Sequence, residues 1–520
     1  MFPDIQIPSL NYHDDLPLFT SLVVLVILVL LNRHWKKRSH TSLNDDGILR
    51  LPPGPWKLPL IGNLHQLALA AGSLPHHFLT DLAKKYGPMM HLKLGRVSAI
   101  IISSPDLAKQ AVKIFSDRPT GFLAVEIISY NSSGIVASPC NDYWREMRKI
   151  CALELLSAKR VQSFSSLREE ETWNLVQSIT QLSQPINLSE MIFSTVNSIT
   201  ARAALGKKCK HQQEFTSLIR EMIRLTTAFG VPDLFPSLQF LNHVTGTKSA
   251  IERLHGKMDM ILVDIINYHK QVLQSQRAAG EDHQQKDQDL VDVLLQLQES
   301  GELQFQLTAN HVKAIILDIY TAGSETSATT IEWTMAELMK NPRVMEKAQV
   351  EIRQVVAGKK KIQEADIKKL DYLKLVVKET LRLHPPIGLI LRQANKTCKV
   401  SGYDIPSGAR VLVNAWALGR DPKHWGTNAD CFEPERFQGS SIDFKGSDFE
   451  FIPFGAGKRL CPGISFGIAT VEIALSQLLY YFNWKLPNGT NPQELDMTES
   501  TGLSTRKKNE LKVIAIPFFP

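Results

Sequence analysis

Phe454-Gly455-Ala456-Gly457-Lys458-Arg459-Leu460-Cys461-Pro462-Gly463 decides how this chain is read. One cysteine follows two glycines and two cations and precedes Pro-Gly. Gly455 and Gly457 permit backbone turns that point amide N–H groups at the sulfur and let a flat ligand lie close. Those donors, with the N-terminus of a helix opened by Pro462, stabilise a thiolate. Gly463 leaves room for that helix to pack on the ligand, and Arg459 can pair with an anionic group on it. A tight turn beside a buried thiol would explain the glycines but not the whole ensemble. The stretch reads as a metal site whose thiolate ligand is Cys461.

The other five cysteines, Cys140, Cys151, Cys209, Cys398 and Cys431, are scattered. No Cys-x-x-Cys pair occurs, which argues against a zinc knuckle or a thioredoxin-like site, and six cysteines make a poor disulfide framework for 520 residues. They read as free, buried, small apolar side chains. Hydrophobic residues at 43% and charged residues at 21% describe an ordinary globular protein. A net charge of +7 without basic repeats or nucleic-acid motifs points away from nucleic acid. It fits an acidic protein partner or a lipid surface.

Leu16 to Leu31 is almost wholly apolar, preceded by Asp14 and Asp15 and followed by Arg33, Lys36, Lys37 and Arg38. Basic residues after the run and the lack of an Ala-x-Ala site argue for an uncleaved anchor over a signal peptide. The expected organisation is a lumenal terminus over 1–15, a transmembrane anchor over 16–36 and a linker over 37–55. The catalytic body then runs over 56–520 on the cytoplasmic side. Sequons beginning at Asn131, Asn187, Asn395 and Asn488 should then stay unmodified. Leu51-Pro52-Pro53-Gly54-Pro55 predicts a stiff extended elbow, although a plain proline-rich linker has the same composition.

The body predicts a mainly α protein with small β-sheets. Met90 to Leu94 alternates and Ala99 to Ile102 is apolar, predicting a small antiparallel sheet. Asn141 to Lys159, Phe215 to Phe229, Glu252 to Gln276 and Leu290 to Glu299 have helical spacing. Thr308 caps a helix that runs to Leu338, with Asn341-Pro342 ending it and opening the next, Arg343 to Val356. About 33 residues would cross roughly 50 Å as a central buried helix. Mid-helix stand Ala322-Gly323-Ser324-Glu325-Thr326. Gly323 is placed to open the helix for a ligand and Thr326 to hold a water or bound oxygen, while an ordinary kink explains the same residues. Glu379 and Arg382 share one helical face, where an ion pair forms; buried with Arg436, it would be a structural lock.

In this order and spacing the motifs resemble the cytochrome P-450 family, and the resemblance covers essentially the whole chain. The Cys461 loop looks like that family's Phe-x-x-Gly-x-Arg-x-Cys-x-Gly signature, with Lys458 beside the expected arginine. Glu379-Thr380-Leu381-Arg382 resembles its Glu-x-x-Arg helix, and Pro434-Glu435-Arg436-Phe437 the segment that completes a Glu-Arg-Arg triad. Ala322 to Thr326 resembles the oxygen-activating groove, and Trp144 with Arg148 the Trp-x-x-x-Arg helix that holds a propionate. The resemblance implies the family fold with an N-terminal transmembrane helix and haem b (iron protoporphyrin IX) ligated by Cys461. It places Trp144, Arg148, Arg392, Phe454, Arg459 and Gly463 around the haem, and makes Glu325, Thr326 and Gly323 catalytic. It implies monooxygenation with dioxygen and NADPH-derived electrons. Those electrons would come from an NADPH–cytochrome reductase docking where Arg145, Lys149 and Lys458 supply positive charge, unless these are merely solvated. It implies the endoplasmic reticulum membrane, single-pass.

The wording of Asp142 to Ile150 and of Ala322 to Thr326 is most similar to plant microsomal members, especially terpene-oxidising ones. By family analogy, a lipophilic pocket draws on Ile315, Ile319, Ala322, Ile387, Leu391 and Leu503. Phe229 to Leu241 either dips into the bilayer or packs in the core. The expected reaction is hydroxylation or further oxidation of a sesqui- or diterpene. An alkaloid or phenolic substrate is the nearest alternative. A haem-thiolate isomerase working without dioxygen is disfavoured, because it needs no acid–alcohol pair; a non-catalytic haem- or lipid-binding membrane protein is the third class.

Overall fold

The computed structural model describes residues 49–70, 72–206, 212–227, 230–278, 288–301, 303, 305–359, 361–500, 502 and 504–518. The anchor, most of the linker, Cys209 and Leu503 lie outside the described residues.

Helices α1 (Pro75–Tyr86), α2 (Pro105–Ile114), α3 (Asp142–Ile150), α4 (Ser165–Gln181), α5 (Leu188–Leu205) and α6 (Thr247–Ala278) build the first half of the body. Helices α7 (Leu290–Ser300), α8 (Ala309–Lys340), α9 (Pro342–Val355), α10 (Asp371–Leu383) and α11 (Ile464–Tyr481) complete its core. Their ends follow local rules. Asn141 caps α3 by accepting from the Trp144 amide at 2.8 Å, Thr308 caps α8, and Gly301 leaves α7 in the left-handed conformation. Pro75, Pro105 and Pro342 each open a helix, where a missing N–H costs nothing.

Strands β1 (Met89–Leu94), β2 (Val97–Ile102), β3 (Ile186–Asn187), β4 (Leu389–Gln393), β5 (Cys398–Val400), β6 (Tyr403–Ile405), β7 (Arg410–Asn414), β8 (Phe482–Lys485) and β9 (Lys512–Pro517) form small sheets. The largest has the order β1-β2-β7-β4, mixed because β2 and β7 run parallel. The alternation read in β1 does not become a wet face, since Met89, Met90, His91 and Leu92 are all at most 4% exposed. Met90 and Leu92 pack with Leu79 of α1, and Met89 lies among residues of α2, so both faces of β1 are covered. The elbow lies along this strand. The His91 amide donates to Pro53 at 2.8 Å, and a Cβ on Gly54 would stand 2.2 Å from the His91 carbonyl, so only glycine fits.

Helix α8 is the spine. At 32 residues it matches the expected length, and its 309–340 run is helical throughout. Ile331, Trp333, Met335 and Leu338 pack with Val471, Ala474 and Leu478 of α11 and Val196 of α5. Helix α11 is long and apolar enough to cross a membrane by composition, yet Val471, Leu475, Leu478 and Leu479 are at most 2% exposed; it is a core helix. Asn141 to Lys159 is not one helix. A π-helical turn, Cys151–Leu155, follows α3, and the chain restarts at Ala158 with Ser157 as cap. Among the described cysteines expected to be buried, Cys151 is; Cys140 and Cys398 are half-buried and Cys431 is exposed.

Candidate haem site

The Cys461 loop is a short 3-10 turn, Gly457–Arg459, between two tight bends. Gly455 and Gly457 both have φ near +70°, the left-handed region that the sequence requires of them. Gly457 has a second reason. A Cβ there would lie 2.6 Å from Val112 Cγ1, so the loop packs on α2 through this glycine. We expect Gly457→Ala to lose about 1–2 kcal/mol from its backbone conformation alone and more from overpacking. The check is thermal loss of bound haem, which should come at lower temperature than in the parent.

The Cys461 amide donates to the Phe454 carbonyl at 3.0 Å, closing the loop beneath the sulfur. Burial pushes the Cys461 thiol up, while the Gly463 amide and the Arg148 guanidinium pull it towards the thiolate. Gly463 caps α11, which begins at Ile464. This helix crosses α8 beside the mid-helix motif. Phe466 lies 3.9 Å from where a Cβ on Gly323 would sit, and a Cβ on Gly467 would lie 3.6 Å from Ser327 Oγ. The chain after Cys461 is thereby pinned to the groove residues of α8.

The structure changes the reading of that groove. Gly323 does not open α8; the helix is unbroken, and a Cβ there would press to 3.2 Å from Thr200 Cγ2. The glycine permits close approach of α5. Ala322 is exposed, and Thr326 one turn on donates to its carbonyl at 2.7 Å. Glu325 is 5% exposed and turns away from Thr326: its Oε1 accepts from Ser504 Oγ at 2.8 Å and pairs with Arg506 at 3.4 Å. The acid and the alcohol share a turn of helix but no hydrogen bond with each other. Ile315 is fully buried in the core around α6 and α7, a packing residue where a pocket wall was expected. Ile319, Ile387 and Leu391 are half-buried.

Four arginines gather near the Cys461 loop. Arg459 donates to the carbonyls of Ser116 (2.8 Å), Ile135 (3.1 Å) and Ser138 (2.5 Å) and lies 4.0 Å over the Trp144 ring. Trp144 donates to Ile135 at 3.1 Å, and Arg148 to the Leu460 carbonyl. These residues therefore staple the 116–138 segment and α3 to the loop as well as offering charge. Arg392, 2% exposed, has its pKa driven well below the ordinary value by burial and by its neighbours Arg118 and Arg459. Burial likewise pushes Arg118 and Arg459 down to about 10. Two carboxylates lie near, and both are engaged: Asp117 with the Cys140 amide and Asn395, and Asp318 with the Val136 amide. A buried set of repelling cations fits a ligand with two carboxylates. A buried sulfur with an amide and a cation beside it fits an axial ligand. The donor set matches haem. Arg118 was not singled out from sequence; its signal is Pro119, which holds the preceding residue extended.

The lock is complete. Glu379 Oε2 and Oε1 accept from Arg382 Nε and Nη2, both at 2.7 Å, and Oε1 also accepts from Arg436 at 2.8 Å and the Glu433 amide at 2.8 Å. Arg382 spends its remaining donors on the carbonyls of Gly419, Ala429 and Cys431.

The sequence pattern described as Cytochrome P450 matches residues 52–513. The chain belongs to the cytochrome P450 family. It is a haem-thiolate monooxygenase of the plant type. It is 51% identical to melianol synthase of Ailanthus altissima over 99% of this chain and 98% of that one. It is 48% identical to premnaspirodiene oxygenase of Hyoscyamus muticus over 96% and 98%. Desmethyl-deoxy-podophyllotoxin synthase of Sinopodophyllum hexandrum is 50% identical over 96% of both chains. A zebra fish cytochrome P450 solved with progesterone shares the fold, with a TM-score of 0.72 at 23% identity over 86% of this chain and all of that one.

Proposed function

We propose that this P450 oxidises a terpenoid, inserting one oxygen atom from dioxygen at an unactivated carbon. The similarity to melianol synthase along almost the entire chain carries this reading. Per turnover the substrate C–H, O2, NADPH and a proton become C–OH, water and NADP+. Haem held by the Cys461 thiolate would supply the dioxygen activation, because sulfur electron density on the iron favours O–O cleavage.

The protein's part is positioning and proton handling. Cys461 would hold the iron, and Arg118, Arg148, Arg392 and Arg459 the propionate side. Thr326 donates its proton to the Ala322 carbonyl and so presents its oxygen as an acceptor in the groove. Glu325 is the proton-carrying group one residue away. Ile319, Ala322, Ile387 and Leu391 offer apolar surface that suits a hydrocarbon skeleton and cannot satisfy a polar one.

Electrons come from a flavoprotein reductase. Exposed Lys149 and Lys458 beside the Cys461 loop offer it a positive face, while Arg145 is already paired with Asp142. Residues 16–36 would anchor the chain in the endoplasmic reticulum membrane with the body cytoplasmic. Val231 (54%), Phe240 (58%) and Val244 (77%) are exposed, which suits a bilayer-facing segment better than core packing.

The deciding experiment is a substrate panel in microsomes co-expressing a reductase, with sesqui-, di- and larger terpenoids beside alkaloids and phenolics. The expected result is an oxygenated terpenoid that requires NADPH. Conversion of an alkaloid or phenolic alone would overturn the substrate class while leaving the enzyme class standing.

A further inference from the structure

The proton-handling role proposed for Glu325 leaves open what holds its carboxylate, and the answer lies far along the chain. Resting on that role, we propose that Ser504 and Arg506 are positioning residues that fix Glu325 through Oε1 and leave Oε2 to serve the α8 groove. Ser504 Oγ donates to Glu325 Oε1 at 2.8 Å, and Arg506 Nη1 lies 3.4 Å from the same oxygen. Oε2 has no protein partner among the described residues. The direction of the Ser504 proton is set from behind, since Thr329 Oγ1 donates to Ser504 Oγ at 3.3 Å. Ser504 is 1% exposed, whereas the Arg506 side chain is 46% exposed. A part-exposed cation and a buried hydroxyl thus meet on the same Glu325 oxygen, which leaves Oε2 uncommitted.

Thr505, next to Ser504, is held at three points. The Thr505 amide donates to Pro386 at 2.9 Å, its hydroxyl to Pro385 at 2.7 Å, and its carbonyl accepts from Trp333 Nε1 at 2.7 Å. Trp333 is on α8 itself, two turns beyond Glu325. Upstream, Glu499 bridges to Lys507. Buried Glu499 Oε2 accepts from His76 at 2.6 Å and lies 3.0 Å from His77 Nε2; Oε1 accepts from Trp416 at 3.2 Å. Burial pushes the Glu499 carboxyl up, but its histidine partners hold it far below the usual carboxylate range. A hydroxyl fixed at this many points loses little entropy when it binds the acid, which is what positioning requires.

The test uses the full-length holoenzyme with reductase, comparing Ser504→Ala, Ser504→Thr and Glu325→Gln with the parent on the panel terpenoid the parent converts. Three quantities are read: ferrous-carbonyl haem content, product formed per NADPH consumed, and the Glu325 position in a crystal structure of the alanine variant. Ser504→Ala should keep its haem content and KM, but yield about fivefold less product per NADPH, part of the roughly 10²–10⁴ that a positioned proton-transfer group supplies. Ser504→Thr should restore the ratio, and in the alanine variant the carboxylate should leave its place. Coupled turnover in Ser504→Ala beside an uncoupled Glu325→Gln overturns the positioning role. So does an unmoved carboxylate, or haem loss that threonine fails to rescue. Coupled turnover in Glu325→Gln overturns the Glu325 role itself, and with it the inference.

Discussion

Replacing Cys461 by His is expected to abolish both the red-shifted Soret band of the ferrous carbonyl form and all turnover. The band depends on an anionic sulfur ligand to the haem iron, and an imidazole is neutral and a weaker donor. The surroundings of Cys461 are built for sulfur. Its side chain sits in a closed loop with the Gly463 amide and Arg148 favouring negative charge. A methyl group on Gly463 would lie in ordinary contact with Sγ, at 3.8 Å. A longer, uncharged ring gains nothing from these donors. Retention of haem with a shifted, unreactive spectrum is the expected outcome, read by carbon monoxide difference spectroscopy. A persistent red-shifted band would move the axial ligand elsewhere.

The second large effect lies away from the haem. Arg382→Ala leaves Glu379, which is 0% exposed, with one of its two arginines and empties a pocket with three carbonyl acceptors. Breaking a buried pair by removing one partner costs about 3–5 kcal/mol, against a total stability of roughly 5–15 kcal/mol. Little or no haem-containing protein should accumulate, measured as ferrous-carbonyl absorbance per milligram of chain. Arg382→Lys should fare little better, since an ammonium cannot make the forked contact with Glu379. Normal yields from Arg382→Ala would show that the lock does not hold the fold.

The features legible in the sequence are those whose chemistry is local. The glycines of the Cys461 loop announce left-handed turns, Glu379 and Arg382 share a helical face by spacing alone, and Thr308 and Asn341-Pro342 mark both ends of α8. The expected mainly α body with small sheets matches the cytochrome P450 fold. What escaped depends on partners far along the chain. Ser504 meets Glu325 across 179 positions, and no period or motif encodes that. Gly323 looked like a helix opener because its neighbour Thr200 is on another helix. Ile315 looked like a pocket wall because a buried core face and an apolar cavity draw on the same residues. Arg459 was read only as an anion partner, since the three carbonyls it also staples lie more than 300 residues upstream.

The enzyme class is tested most directly by isotope. Microsomes carrying this P450 and a reductase, supplied with NADPH, a panel terpenoid and 18O2, should yield product carrying one 18O atom from dioxygen, and none in the absence of NADPH. Product formed without dioxygen, or carrying no label from it, would contradict monooxygenation and favour an isomerase.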